Sequence, residues 1–163
     1  MEKKIFITLG SQKFQFNRLL KAIDRLCEEK VISSHNVFGQ IGYSDYLPQK
    51  FNYKKFLDRD EFNREMEKAE IVITHGGTGA IIGAVKRGKK VIAVPRLAKY
   101  GEHVDDHQLQ LIRQFDELKL IYPCMDINKL KEALETVQQT QYNSYESNTI
   151  NIINSIENYI KEI

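Results

Sequence analysis

The sequence predicts an α/β fold of the Rossmann type, in which a parallel β-sheet is covered by helices on both faces. Short apolar runs alternate with longer amphipathic runs along the chain, which is typical of repeated strand–helix units. The strand candidates at residues 5–9 and 71–74 are almost continuously apolar, as expected for strands that are buried on both faces. A glycine-rich turn at residues 75–79 then joins one of these strands to a helix.

Each predicted element carries a local signal. The strand candidates are rich in β-branched and aromatic residues, and Gly10 and Pro95 end the first and the fifth of them. The longer helix candidates repeat apolar residues every three or four positions. Asp60 and Asp126 are suited to cap the second and fifth helices, and Gly88 is suited to end the third. In chain order, strands are predicted at residues 5–9, 36–42, 53–57, 71–74, 91–94 and 119–122, and helices at residues 15–30, 60–68, 80–86, 103–115, 128–139 and 148–163.

Length and composition indicate a single domain, residues 1–163, and exclude several classes of protein. Hydrophobic residues make up 42% and charged residues 28% of the 163 positions, which argues against a disordered, collagen-like or disulfide-rich chain. The formal net charge of +2 is too small to suggest a nucleic-acid partner. Cys27 and Cys124 lack disulfide or metal spacing, so we expect reduced thiols in a cytosolic protein. We find neither a secretory signal nor an apolar stretch of the roughly 20 residues that a membrane span needs.

Glycine and polar residues follow three strands, at the edge where a parallel sheet binds its ligands. Gly10, Ser11 and Gln12 follow the first strand, the glycine turn follows a central one, and a polar segment at residues 96–108 follows the fifth. In the glycine turn, glycines permit close approach of a phosphate, and the next helix offers N–H groups to an anion. The other interpretation is a strand–helix turn that needs glycine for packing alone. Ser11 likewise fits either a phosphate site or a helix N-cap.

Three familiar motifs do not fit these loops. A dinucleotide fingerprint would need a glycine where Ile82 stands and an acidic residue after Val94. A P-loop would need Ser or Thr in place of Lys90, and it would have to precede a helix rather than a strand. The spacing of His103 and His107 could place both on one helical face as metal ligands, but no third ligand is evident. We therefore predict no metal site, and we expect these side chains to bind a polar ligand or to cap the helix.

Several runs, taken together, resemble a known family. They are AEIVITHGGTG at residues 69–79, GKKVIAVPR at 88–96, GEHVDDHQ at 101–108 and FITLGSQ at 6–12. This combination resembles the donor-binding half of glycosyltransferase family 28 over about residues 4–125. It is most similar to the single-domain catalytic subunits of two-part transferases, which act in bacterial capsular and exopolysaccharide synthesis and in eukaryotic dolichol-linked GlcNAc transfer.

The resemblance implies one half of a GT-B fold and a UDP-sugar donor. It implies transfer with inversion, without an essential metal or cofactor, to a polyprenyl-diphosphate-linked glycan. A membrane-associated partner subunit would bind that acceptor. This chain would then be cytoplasmic, and the partner would recruit it to the inner face of the membrane.

The resemblance also assigns residues. The donor-binding residues are Gly10, Ser11, Gln12, His75, Gly76, Gly77, Thr78, Gly79, Arg96, Asp106, His107 and Gln108. Glu102, His103 and Asp105 are catalytic candidates by location alone, and the base could instead belong to the partner. Many relatives hold the ribose with a Glu in the helix after the glycine turn, where this chain has Gly83. That departure keeps open a second function, a non-catalytic accessory that enhances a partner transferase.

The last predicted helix has an apolar face that admits two interpretations. Ile153, Ile156, Ile160 and Ile163 lie on one side of it. They can pack on the sheet of this domain, or part of the face can dock on the partner subunit.

Overall fold

The computed structural model, which describes residues 1–162 and the side chains of all of these except 147–150, confirms the predicted fold class. Six parallel strands form one sheet in the order β3-β2-β1-β4-β5-β6, with β1 and β4 at its centre. The strands are β1 (Ile5–Thr8), β2 (Val37–Gln40), β3 (Asn52–Lys54), β4 (Ile71–Thr74), β5 (Lys90–Ala93) and β6 (Tyr122–Pro123). The helices are α1 (Asn17–Glu28), α2 (Arg59–Lys68), α3 (Thr78–Lys86), α4 (His107–Glu117), α5 (Leu130–Gln139) and α6 (Ser147–Glu162).

Two hydrophobic cores, one on each face of the sheet, follow from the alternation of side chains along the strands. In β1, Ile5 and Ile7 belong to one core and Phe6 to the other. Helices α1 and α5 cover the first face, and α2, α3, α4 and α6 cover the second. Cys27 and Cys124 are free and buried, which agrees with the prediction of unpaired thiols.

Two predicted helix starts are wrong, and local side-chain hydrogen bonds explain both. The N-cap of α2 is Asp58 rather than Asp60, because the Glu61 N–H donates to Asp58 Oδ1 over 2.8 Å and the Asp58 N–H donates to Glu61 Oε2 over 3.0 Å. Helix α4 begins later than predicted, at His107, whose N–H donates to Asp105 Oδ1 over 3.0 Å. The loop between β5 and α4 is therefore longer than predicted.

The other element ends are close to the predictions, except at β6. Asp126 caps the turn before α5, since its Oδ1 accepts from the Asn128 N–H over 3.0 Å. Gly88 follows α3 with a φ of 70°, as predicted for a residue that ends a helix. The last strand begins later than predicted because Lys119, with a φ of 54°, completes the turn that ends α4.

Helix α6 packs on its own domain. Ile153 and Ile160 are 1% and 4% exposed, whereas Ile152 and Tyr159 are 45% and 66% exposed. Ile163, part of the predicted apolar face, lies outside the described residues. In the part of the chain that the structure describes, no helix combines the length and the apolar character that a bilayer span requires. Docking of α6 on a partner stays a prediction.

Candidate functional site

The carboxyl ends of β1, β4 and β5 lie side by side, because Thr8 pairs with Thr74 and Thr74 with Ala93. The loops that follow these strands therefore meet at one edge of the sheet. They are the first loop (residues 9–16), the glycine turn (residues 75–79) and the third loop (residues 94–106).

A cavity of about 310 Å³ opens at this edge, between the glycine turn, the start of α4 and the end of α6. Its volume lies at the lower end of the range for small-molecule sites. Another cavity, of about 290 Å³, lies around His35 at the opposite edge of the sheet, where this class of fold does not bind its ligands. The candidate site is lined by Gln12, His75, Gly76, Gly77, Thr78, His103, Asp105, His107, Gln108, Leu111, Glu157, Ile160 and Lys161.

The imidazole of His75 is wedged between two glycines. A Cβ atom on Gly10 would lie 2.8 Å from its Cε1 atom, and one on Gly77 would lie 2.5 Å from its Nε2 atom. On the other side of the turn, a Cβ atom on Gly76 would lie 2.8 Å from Cδ1 of Ile112. Packing alone therefore requires glycine at these three positions, and their presence is not by itself evidence of a phosphate site.

His75 is uncharged at neutral pH and connects two strand ends. Burial, reinforced by the positive charge of Arg96, lowers the pKa of His75 from its ordinary 6.5 to about 3. Its Nδ1 atom lies 3.4 Å from the Thr8 carbonyl oxygen and 3.3 Å from the Thr74 hydroxyl. Because a carbonyl oxygen can only accept, this contact favours the neutral tautomer with its proton on Nδ1.

The pH dependence of stability tests this buried neutral state. Below about pH 6.5 the unfolded chain binds a proton on His75, whereas the folded chain does not until the pH nears about 3. The free energy of unfolding should therefore fall as the pH is lowered through this window, by up to about 1.4 kcal/mol per pH unit from this group. In urea denaturation we expect the stability difference between wild type and His75→Gln to shrink by at least about 2 kcal/mol between about pH 7 and 4.5.

The matched control is His35→Gln, which removes an exposed imidazole at the opposite edge of the sheet. This variant should keep the wild-type pH dependence. Parallel stability curves for wild type and His75→Gln would contradict a buried neutral His75.

The amino terminus of α3 reaches the cavity without a capping side chain. Gly77 is the N-cap residue, so the first N–H groups of the helix stay available to an anion. Thr78 lines the cavity, and its buried hydroxyl has no partner among the described residues. A Cβ atom on Gly79 would meet nothing within 4 Å, and alanine there would favour the helix by about 1 kcal/mol. Packing therefore does not explain Gly79.

Arg96 does not line the cavity but contacts the loops around it, and its predicted role as a donor ligand stays a prediction. It is 0% exposed, and its Nη2 donates to the carbonyl oxygens of Leu9 over 2.9 Å and Phe14 over 3.2 Å. Its backbone N–H donates to Gln108 Oε1 over 3.2 Å. Burial lowers the pKa of Arg96 to about 10, which leaves the guanidinium charged at neutral pH.

Glu102, a catalytic candidate by location, does not line this cavity, and its predicted role stays a prediction. Its side chain is 1% exposed, and its two oxygens accept from Arg18 Nε over 3.1 Å and Arg18 Nη2 over 3.0 Å. Oε1 accepts in addition from the Leu97 N–H over 3.0 Å. Glu102 thereby ties α1 to the third loop.

The Asp105 carboxylate lies between two imidazoles at the cavity. Its Oδ1 is 3.3 Å from His103 Nδ1, and its Oδ2 is 3.4 Å from His107 Nδ1. The His103 ring also packs against Phe14, with 5.0 Å between ring centroids. Because α4 begins at His107, the two histidines do not share a helical face as the sequence suggested. Among the described side chains, no group of three His, Cys, Asp or Glu residues is arranged to hold a metal ion.

The remaining predicted residues divide into two groups. Gln12 and Gln108 line the cavity. Asp106 does not, since its Oδ1 accepts from the Ala98 N–H over 3.0 Å. Ser11 is exposed in the first loop, and it is not the N-cap of α1.

Sequence reasoning missed the wall of the cavity that α6 provides. Glu157, Ile160 and Lys161 line the cavity from this helix. The sequence does contain one signal for this wall: Glu157 and Lys161 are four residues apart, beside the apolar face of the predicted helix.

Two curated relatives are similar to part of this chain. The human UDP-N-acetylglucosamine transferase subunit ALG13 is 26% identical over 128 residues, and the mouse protein of the same name is 22% identical over 129 residues. Each alignment covers 75% of this chain and 11% of the relative, so the chain spans a small part of these longer proteins.

Solved glycosyltransferase structures share the fold. The solution structure of ALG13 aligns with a TM-score of 0.59 at 18% identity, over 88% of this chain and 89% of that one. MurG of Acinetobacter baumannii aligns with a TM-score of 0.58 at 15% identity, over 97% of this chain and 50% of that one. The calicheamicin glycosyltransferase CalG4 aligns with a TM-score of 0.57 at 19% identity, over 99% and 38% of the two chains. These alignments confirm the predicted half of a GT-B fold.

A family model matches nearly the whole chain. The model described as the glycosyltransferase family 28 C-terminal domain matches residues 4–163, which is nearly the whole chain. The chain therefore belongs to this family of glycosyltransferase domains.

Proposed function

We propose that this chain is the donor-binding, catalytic subunit of a two-part glycosyltransferase that uses a UDP-sugar. The transferred sugar would be a hexose, and the names of the human and mouse relatives make N-acetylglucosamine the first candidate. It would pass with inversion, without a metal ion or cofactor, to a polyprenyl-diphosphate-linked glycan. The product would serve capsular or exopolysaccharide synthesis.

The uncapped amino terminus of α3 is the observation that carries the donor assignment. A helix amino terminus presents free N–H groups and a partial positive charge of about half an elementary unit. Here the unpaired Thr78 hydroxyl adds a hydrogen-bonding group, and Gly79 leaves open the space that a side chain would fill. These are the donors and the close backbone approach that a diphosphate requires.

His103 and Asp105 are the catalytic candidates on this chain that the geometry favours. A histidine imidazole is the most frequent general base in enzymes. His103 Nδ1 lies 3.3 Å from Asp105 Oδ1 and accepts from the Asp105 backbone N–H over 3.4 Å, and the ring packs against Phe14, so its orientation and its position are restrained. In this proposal His103 takes the proton of the acceptor hydroxyl. A base on the partner subunit is the alternative.

Exposed aromatic side chains at the same edge of the sheet support a partner subunit. Tyr43 and Phe56 follow β2 and β3, are 46% and 47% exposed, and pack edge to face at 5.1 Å. Ile152 and Tyr159 are exposed on α6. We propose that an acceptor-binding, membrane-associated subunit covers part of this surface and recruits the chain from the cytoplasm to the inner face of the membrane.

Gly83 favours one second candidate, the non-catalytic accessory that does not bind a donor. This position lacks the family Glu for the ribose, and the Arg87 guanidinium lies next to it, with Nη1 donating to the Gly83 carbonyl over 2.9 Å. An accessory subunit would enhance the transferase activity of its partner without a donor site of its own.

Binding of UDP separates the two candidates. At a free UDP concentration about 100-fold above its Kd, the donor-binding proposal predicts stabilisation by about 2.7 kcal/mol. For a chain of this size that corresponds to a rise in Tm of about 5–10 °C. The measurement is a thermal melt with UDP, UDP-GlcNAc and other UDP-sugars, with NADH as the control ligand.

Two outcomes would contradict the proposal. A Tm that no UDP compound shifts, in the presence or absence of the co-purified partner, would favour the accessory. If EDTA abolished UDP binding and Mg²⁺ restored it, the proposal that the donor binds without a metal ion would be wrong.

A further inference from the structure

The carboxyl-terminal helix is anchored so that one of its faces forms a wall of the candidate donor cavity. Ile153 belongs to the hydrophobic core on the α3–α4 face of the sheet, and Ile160 is 4% exposed at the cavity. These two side chains fix the helix on α4. The residues between and after them, Glu157 and Lys161, are thereby brought to the glycine turn, although they are far from it in the sequence.

Glu157 and Lys161 form an ion pair that leaves the lysine largely in solvent. Lys161 Nζ lies 3.3 Å from Glu157 Oε1. The lysine side chain is 67% exposed, whereas that of the glutamate is 26% exposed. An exposed pair of this kind contributes little to stability, and its long lysine side chain can exchange one oxygen partner for another.

Lys161 is the only Lys or Arg among the described residues that line the cavity, and the two further imidazoles there, His103 and His107, face the Asp105 carboxylate. Among the same residues, Asp105 and Glu157 are acidic. His75 is neutral because burial lowers its pKa to about 3. Arg96 is charged, but it is buried and donates to two carbonyl oxygens outside the cavity lining. The N–H groups of α3 supply only a partial charge to balance a diphosphate.

We propose that Lys161 binds the diphosphate of the nucleotide donor, and that the Glu157 carboxylate pairs with the Lys161 ammonium group until the donor arrives. This inference rests on the proposed function. On binding, the ammonium group leaves the Glu157 carboxylate for a phosphate oxygen. The end of the chain then contributes a specific contact to the site in addition to packing.

Calorimetric titration of the full chain with UDP tests the inference. Lys161→Met should weaken UDP binding about tenfold, which is about 1.4 kcal/mol. The loss should shrink when NaCl is raised from about 50 mM to about 500 mM, because salt screens an exposed charge contact. Glu157→Gln should tighten UDP binding about threefold, since it removes a carboxylate that competes with the phosphates and repels them.

Matched controls make the same substitutions elsewhere. Lys131→Met changes an exposed lysine of α5, and Glu162→Gln changes an exposed glutamate of α6, and neither residue lines the cavity. Both should bind UDP as the wild type does. Equal UDP affinity for wild type and Lys161→Met would overturn this inference and leave the proposed function intact. If the loss of UDP affinity in Lys161→Met did not change with the NaCl concentration, the role of the Lys161 charge in binding the diphosphate would be overturned. No UDP binding by the wild-type chain would instead overturn the proposed function.

Discussion

Gly77→Asp is expected to weaken UDP binding at least about 100-fold, or about 2.7 kcal/mol. Two effects combine at this position. Its Cβ atom would lie 2.5 Å from Nε2 of the buried His75 ring. The new carboxylate would also face the donor diphosphate at the amino terminus of α3, where like charges repel by several kcal/mol. The measurement is a UDP titration of the folded variant.

Two further variants separate these effects. Gly77→Ala has the same steric conflict with His75 and adds no charge, so it should reduce stability by about 1–3 kcal/mol and weaken UDP binding less than Gly77→Asp. Asn154→Asp adds a negative charge to the exposed face of α6, outside the cavity, and should bind UDP normally. Folded Gly77→Asp with an affinity within about threefold of the wild type would refute the diphosphate assignment.

Arg96→Ala is expected to lower the free energy of unfolding by about 3–5 kcal/mol and to reduce UDP binding with it. The substitution removes a fully buried side chain and leaves the carbonyl oxygens of Leu9 and Phe14 without their donor. These two carbonyls belong to the first loop, so the cavity wall around Gln12 should become mobile. Urea denaturation and a UDP titration measure the two effects.

Arg96→Lys provides the comparison. Lysine keeps the charge, but its ammonium group ends a flexible chain and lacks the rigid guanidinium plane that holds Nη2 between the two carbonyl oxygens. We expect its stability to lie between those of Arg96→Ala and the wild type. Stability of Arg96→Ala within about 1 kcal/mol of the wild type would show that the first loop does not depend on this side chain.

Local patterns were sufficient for most of the fold. Strand β4 begins and ends where its apolar run does, and Asp126 caps the turn before α5 as its position suggests. These features depend on neighbouring residues, which a sequence displays directly. The error at α4 arose from a competing local signal, since the Asp105 side chain accepts from the His107 N–H and the helix begins there, after the N-cap residue Asp106.

The candidate site was predictable in place but not in detail. The carboxyl edge of a parallel sheet and the glycine turn identify the region, and Gln12, His75 and Gln108 do lie at the cavity. The third loop, however, is polar throughout, and its sequence does not show which side chains turn inward. Glu102 turns toward Arg18, and Asp106 turns toward the backbone of the loop itself.

The sequence alone predicts the parallel α/β fold, the edge of the sheet that carries the candidate site, and the family resemblance. Each of these depends on patterns or motifs of neighbouring residues. Only the tertiary structure shows which of the predicted side chains line the cavity. Arg96 contacts Leu9 across 87 positions, and Glu102 contacts Arg18 across 84. Helix α6 brings Lys161 to the glycine turn in the same way. Contacts between residues this far apart arise from the packing of whole elements, and no local pattern encodes them.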